Sequence, residues 1–87
     1  MHAVVVNVSI KDRPSAEKAL HEQVVPRVSQ APGFVGGFWI ATAQDKGFSV
    51  IAFENEEVAK AAAAEIQPPG DMVEIDSVEV YQVVANA

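Results

Sequence analysis

The sequence predicts an α+β fold of the ferredoxin-like kind, β-α-β-β-α-β, with one four-stranded antiparallel sheet and two helices on one face. Three observations carry this prediction. Four strand-like and two helix-like segments follow one another in that order along 87 residues, a length that holds a single domain spanning residues 1–87. There is no cysteine, so neither disulfides nor thiolate metal sites shape the chain. Apolar residues also stand on both phases of three strands, so the helices alone cannot cover the sheet.

Each element has its own signal. Val4, Val6, Val8 and Ile10 alternate with Ala3, Val5, Asn7 and Ser9, a β-branched strand broken by Lys11-Asp12-Arg13-Pro14. Proline suits a first helical turn, and Ala16, Ala19, Leu20, Val24, Val28 and Ala31 repeat with helical period from Ser15 to Ala31. Pro26 interrupts that helix, so a kink or restart is expected near Val25. Pro32-Gly33 stops it. Phe34 to Thr42 reads as a second strand, with a bulge or close backbone contact at Gly36-Gly37. Gln44-Asp45-Lys46-Gly47 makes the hairpin turn, and Phe48 to Phe53 is the third strand. Asn55 is a good N-cap, followed by Glu56 and Glu57 at the positive end of a helix dipole and an alanine-rich second helix, Val58 to Ile66. Pro68-Pro69-Gly70 ends it. From Met72 onward the alternation slips near Asp76-Ser77, giving a bulge or short break before the main strand, Val78 to Val84.

Composition narrows the function. Apolar residues make up 49% of the chain and charged ones 21%, a globular balance. Twelve acidic against six basic residues give a net charge of −6. That sign repels phosphate backbones and anionic lipid, so neither nucleic acid nor membrane is expected as a partner. No basic leader with a cleavage site opens the chain and no apolar run nears the ~20 residues of a membrane span. A cytoplasmic location is the expectation.

The second apolar face calls for a partner. Val5 opposes Val4 and Val6, Val35 and Trp39 oppose Phe34, Phe38 and Ile40, and Tyr81 and Val83 oppose Val80 and Val84. Four strands about 4.8 Å apart and roughly 20 Å long offer about 400 Å², the upper range for a soluble monomer. A homodimer covering that face, as a sandwich or closed barrel, is expected.

VVPRVSQAPGFVGGFW, GFSVIAFENEEVAKAAA and VEVYQVVA, set in the short βαββαβ layout, resemble the dimeric α/β-barrel superfamily and its small antibiotic-biosynthesis-monooxygenase-like domains. The resemblance implies the fold, the α/β-barrel dimer, and cofactor-free oxygenation of an electron-rich phenol or quinol. The haem-opening branch of that superfamily shares an asparagine on the first strand, a tryptophan on the third strand and an iron-ligating histidine on the second helix. Asn7 matches the first. Phe48 to Phe53 has no tryptophan and Asn55 to Ile66 no histidine, so this reading disfavours haem opening and expects neither haem nor a metal cofactor.

Few polar side chains are left to carry chemistry. His21 stands four residues after Glu17, the spacing of a base with its orienting carboxylate or of a solvated surface pair. Asn7 is a polar side chain within an apolar strand, and burial would oblige something to bond it. Trp39 is the single tryptophan, among aromatics clustered between Phe34 and Phe53 that form core, interface or a flat ligand wall. If the chain is such an oxygenase, this short list of candidates gives His21 as the base, Asn7 as the orienter, and Trp39 with Phe38 and Phe53 as the pocket for a small aromatic ligand. His2, His21 and the scattered carboxylates show no metal-ligand spacing. The serines lie in no nucleophile-elbow context, and Lys11, Arg13, Lys18 and Arg27 read as a solvated face. The competing reading is a non-catalytic dimer that binds a ligand or contributes structure.

Overall fold

The computed structural model describes residues 1–87, and its elements follow the expected order. Strand β1 (His2–Ile10) leads to helix α1 (Arg13–Ala19), a π-helical turn (Leu20–Val24) and helix α2 (Val25–Ser29), which together form one continuous arm. Strands β2 (Phe34–Ala43) and β3 (Lys46–Phe53) form a hairpin, followed by helix α3 (Glu56–Ala64) and strand β4 (Val73–Gln82). The sheet order is β2-β3-β1-β4, every neighbouring pair antiparallel.

Capping sets the helix starts. Asp12 caps α1, its carboxylate accepting from the Ser15 backbone N–H at 3.4 Å and the Ser15 hydroxyl at 2.9 Å, with Pro14 in the first turn. Asn55 caps α3, accepting from the Val58 N–H at 3.0 Å. The kink expected near Val25 takes the form of a π turn. Pro26 has no N–H to give the carbonyl four residues back, and its ring crowds that carbonyl, so the backbone widens just before it. The Val25 N–H accordingly reaches five residues back to the Leu20 carbonyl.

Several boundaries differ from the sequence expectation, among them the first helix, which runs from Arg13 to Ser29 rather than from Ser15 to Ala31, and β2, which ends at Ala43. The hairpin turn is only Gln44-Asp45, with β3 starting at Lys46. Gly47 lies inside the strand because a Cβ there would sit 2.9 Å from the Ile40 carbonyl oxygen. Helix α3 starts earlier and ends earlier than Val58–Ile66. The slip near Asp76-Ser77 is a bulge inside one strand: Asn7 faces Ser77 and Val8 faces Ile75, leaving Asp76 as the extra residue, and β4 ends at Gln82.

Val4, Val6, Ile51, Phe53 and Ala59 form the core between the sheet and α3, with Val78 and Val80 packed against it. Helix α3 lies over β1 and β4, while α2 is the only part of the arm in substantial contact with a strand, β2. Arg13 ties the start of the arm to the hairpin, Nη1 donating to the carbonyls of Ala43 at 2.9 Å and Gln44 at 3.2 Å. Between these anchors the arm stands off the sheet. The opposite sheet face carries no helix, and Phe38, Ile40 and Tyr81 are exposed on it.

Candidate functional site

The gap between arm and sheet is a cavity of about 720 Å³, within the range of small-molecule sites. Its floor is the helix-side phase of the sheet: Val6 from β1, Ser49, Ile51 and Phe53 from β3, and Gly37 and Trp39 from β2. Its roof is the arm, with Ala16, Leu20, His21, Val24 and Val28, and α3 closes one side with Ala62. The polar side chains on its lining include Arg13, Glu17, Arg27 and Glu65.

A β-bulge decides which aromatic faces the cavity. The pairing of β2 with β3 shifts between Phe34 and Gly36, so the alternation reverses: Phe34 packs on the core, and beyond the shift Trp39 does too. Phe38 and Ile40 then fall on the open face, unlike the grouping of Phe34 with Phe38 and Ile40 read from alternation alone. A Cβ on Gly37 would stand 3.2 Å from the Trp39 ring, so glycine there lets the indole lie along the strand.

The sequence candidates divide accordingly. Trp39 and Phe53 line the cavity, and Phe53 meets Phe34 edge-on with centroids 6.3 Å apart. Phe38 borders the cavity only at the edge of β2 and is 72% exposed. His21 is exposed and reaches the cavity from the π turn. The Glu17 carboxylate that the spacing offered to His21 is held by Arg13 Nε at 2.9 Å. Asn7 is not brought together with His21 or Trp39. It sits on the open face, opposite Val6, and its Nδ2 donates to the Ser77 hydroxyl at 3.1 Å. Beside it Ser9 donates to Asp76 at 2.8 Å, and Lys46 Nζ donates to the Ser9 hydroxyl at 2.7 Å.

Two features escaped the sequence reading. Arg13 is not merely a solvated charge but the clip that holds the hairpin. Ser49, passed over because it lacks a nucleophile context, is a buried polar side chain on the cavity floor, 6% exposed. Its signal was the same one that drew attention to Asn7: a polar residue within an apolar strand. No three histidine, aspartate or glutamate side chains converge on a metal-binding arrangement. No helix is long and apolar enough to cross a membrane.

No described protein family and no curated protein matches this sequence. Solved structures match it in shape. A mutant of MhuD with two manganese protoporphyrin IX bound per active site superposes with a TM-score of 0.74, at 18% identity, over 100% of this chain and 98% of that one. A haem-free, cleaved form of a heme-degrading protein from Mycobacterium tuberculosis gives 0.56 at 23% identity, covering 100% and 99%. The haem degrader MhuD from the same organism, with two hemes in its active site, gives 0.51 at 22%, covering 97% and 98%. At these identities the likeness is one of fold, and it runs the length of both chains. It agrees with the ferredoxin-like βαββαβ fold read from the sequence.

Proposed function

We propose that this chain, which shares the fold of haem-degrading proteins, is a monooxygenase-like protein that takes a flat, conjugated aromatic molecule into the cavity between arm and sheet. The observation that carries the proposal is the cavity itself: about 720 Å³, mostly apolar, with the rings of Trp39 and Phe53 among its walls. A planar ring system buries both faces in such a slot, and aromatic walls reward it beyond area alone. The porphyrins bound by two of the structurally similar proteins support a ligand of this shape.

A porphyrin as substrate would find one imidazole on the cavity lining, His21, approaching from the arm; α3 offers it no histidine. Arg27 also lines the cavity and forms no ion pair, so it is free to meet a ring-borne carboxylate. A phenol or quinol would use the same groups differently. His21 accepts the phenolic proton, the electron-rich anion reacts with O₂, and the apolar walls hold it in place and keep water away. Asn7 takes no part in this reading, because it lies on the other face of the sheet.

The proposal includes a second copy of the chain. The open face presents Phe38, Ile40 and Tyr81 to solvent, and two such faces packed symmetrically bury above roughly 1,200 Å² in total if the dimer is stable.

Trp39, the single tryptophan, reports on the test. Titration with hemin or with a planar polycyclic quinol is expected to quench its emission at micromolar ligand. Hemin should also develop a shifted Soret band that His21→Ala weakens. Oxygen uptake with the quinol marks turnover; quenching without uptake favours the non-catalytic binder. No quenching by either class of ligand refutes the cavity reading.

A further inference from the structure

We infer that Ser49 reads a single ring-borne oxygen, a phenolic hydroxyl or a quinone-type carbonyl, on the ligand; the inference rests on the cavity reading above. Ser49 is 6% exposed and sits in the middle of the floor, paired across the sheet with Val6 on one side and Trp39 on the other. The next two floor positions of β3, Ile51 and Phe53, are apolar. None of the chain's side-chain hydrogen bonds involves the Ser49 hydroxyl.

The fully buried polar atoms without a partner do not include the Ser49 hydroxyl, so the cost arises only when a molecule fills the cavity and cuts that hydroxyl off without bonding it. The hydroxyl opens onto the cavity, so its partner is a group that enters it. A hydroxyl both donates and accepts, so it serves a phenol and a carbonyl equally. A ring system whose inner edge is all carbon would leave Ser49 dry and unpaired. Such a site discriminates against the analogue that lacks the oxygen, because the protein group is then stranded. Elsewhere on the lining, the Arg27 guanidinium forms no ion pair and suits an acidic group on the ligand. The ligand class is therefore a flat aromatic acid that carries one further ring-borne oxygen.

A matched pair of fluorescent probes tests this: a naphthoate carrying a hydroxyl at the end of the ring pair opposite its carboxylate, and the naphthoate without that hydroxyl. Wild type is expected to bind the hydroxylated probe about tenfold more tightly. Ser49→Ala should bring the two affinities to within about twofold, chiefly by weakening the hydroxylated probe. Its urea midpoint should equal or exceed that of wild type, since no bond within the fold is lost. Equal binding of both probes to wild type, a preference that survives in Ser49→Ala, or a lowered urea midpoint overturns the role of Ser49 while leaving the cavity reading intact. Failure of both probes, of hemin and of the planar quinol to bind wild type overturns the cavity reading and Ser49's role with it.

Discussion

At the scale of single residues, burial sorted the candidates where chemistry alone could not. Asn7 and Ser49 pose the same question, a polar side chain in an apolar strand, and receive opposite answers. Asn7 finds Ser77 on the open face, and Ser49 finds nothing on the closed one. Alternation within β1 placed Asn7 opposite Val6 correctly, but only the packing of the helices says which face is which. The open face holds one perturbed group. The Tyr81 hydroxyl donates to the Glu79 carboxylate at 2.6 Å, and this bond, with smaller contributions from desolvation and the Glu79 charge, holds the phenol above its ordinary value of about 10. Because the folded value is raised, the bond is fully present below the ordinary value and is lost as pH rises through the folded one. Tyr81 is the only tyrosine, so ultraviolet absorbance follows it without interference. We expect a phenolate midpoint above about 10 in the folded protein, and Glu79→Gln should bring it back toward that value.

At the scale of elements, the order and type of every segment were legible, because period-2 and period-3.6 patterns, caps and proline breaks are local. Asn55 as a cap and Pro14 in a first turn could be read directly. The face assignment of β2 could not, since one bulge beside Gly36 reverses the phase of all that follows, and whether a glycine pair bulges depends on its partner strand. The π turn was half legible: Pro26 announced a disturbance, and the surrounding helix decided its form. The arm ends at Gly33, which takes φ of 75° and brings its backbone against α3. A Cβ there would lie 2.6 Å from Val58 Cγ2. Gly33→Ala is therefore expected to lower stability by about 2 kcal/mol or more, through left-handed strain and overpacking, measured by urea denaturation.

At the scale of the whole molecule, only 10 of 87 residues are buried in a single copy, which is a thin core even for this length. Sequence alone indicated a second apolar face. The structure gives it a shape that is half apolar, from Phe38 and Ile40, and half polar, from Asn7, Ser9, Lys46 and Asp76. That division fixes which way round two copies can meet, because a stranded charge against the apolar half is costly. Phe38 is 72% exposed, so it adds little to the chain's own core, and in the proposed dimer it meets the second copy. Phe38→Asp is therefore expected to leave the secondary structure intact by circular dichroism while shifting the sedimenting species at micromolar concentration from twice 9.3 kDa to 9.3 kDa. A wild-type protein that sediments as a monomer would remove the dimer from the proposal.

The arm that stands off the sheet gives the protein a variable stability. Clipped by Arg13 at one end and resting on β2 through α2 at the other, it makes few close backbone approaches to the sheet in between, where Ala16 and Ala19 are its buried residues. Segments of that kind open at the least free-energy cost, well below global unfolding. A molecule that occupies the space beneath the arm supplies the missing contacts, and by mass action each tenfold rise in its concentration above Kd adds about 1.4 kcal/mol to the folded state. A ligand bound there would complete the hydrophobic core on that side of the sheet.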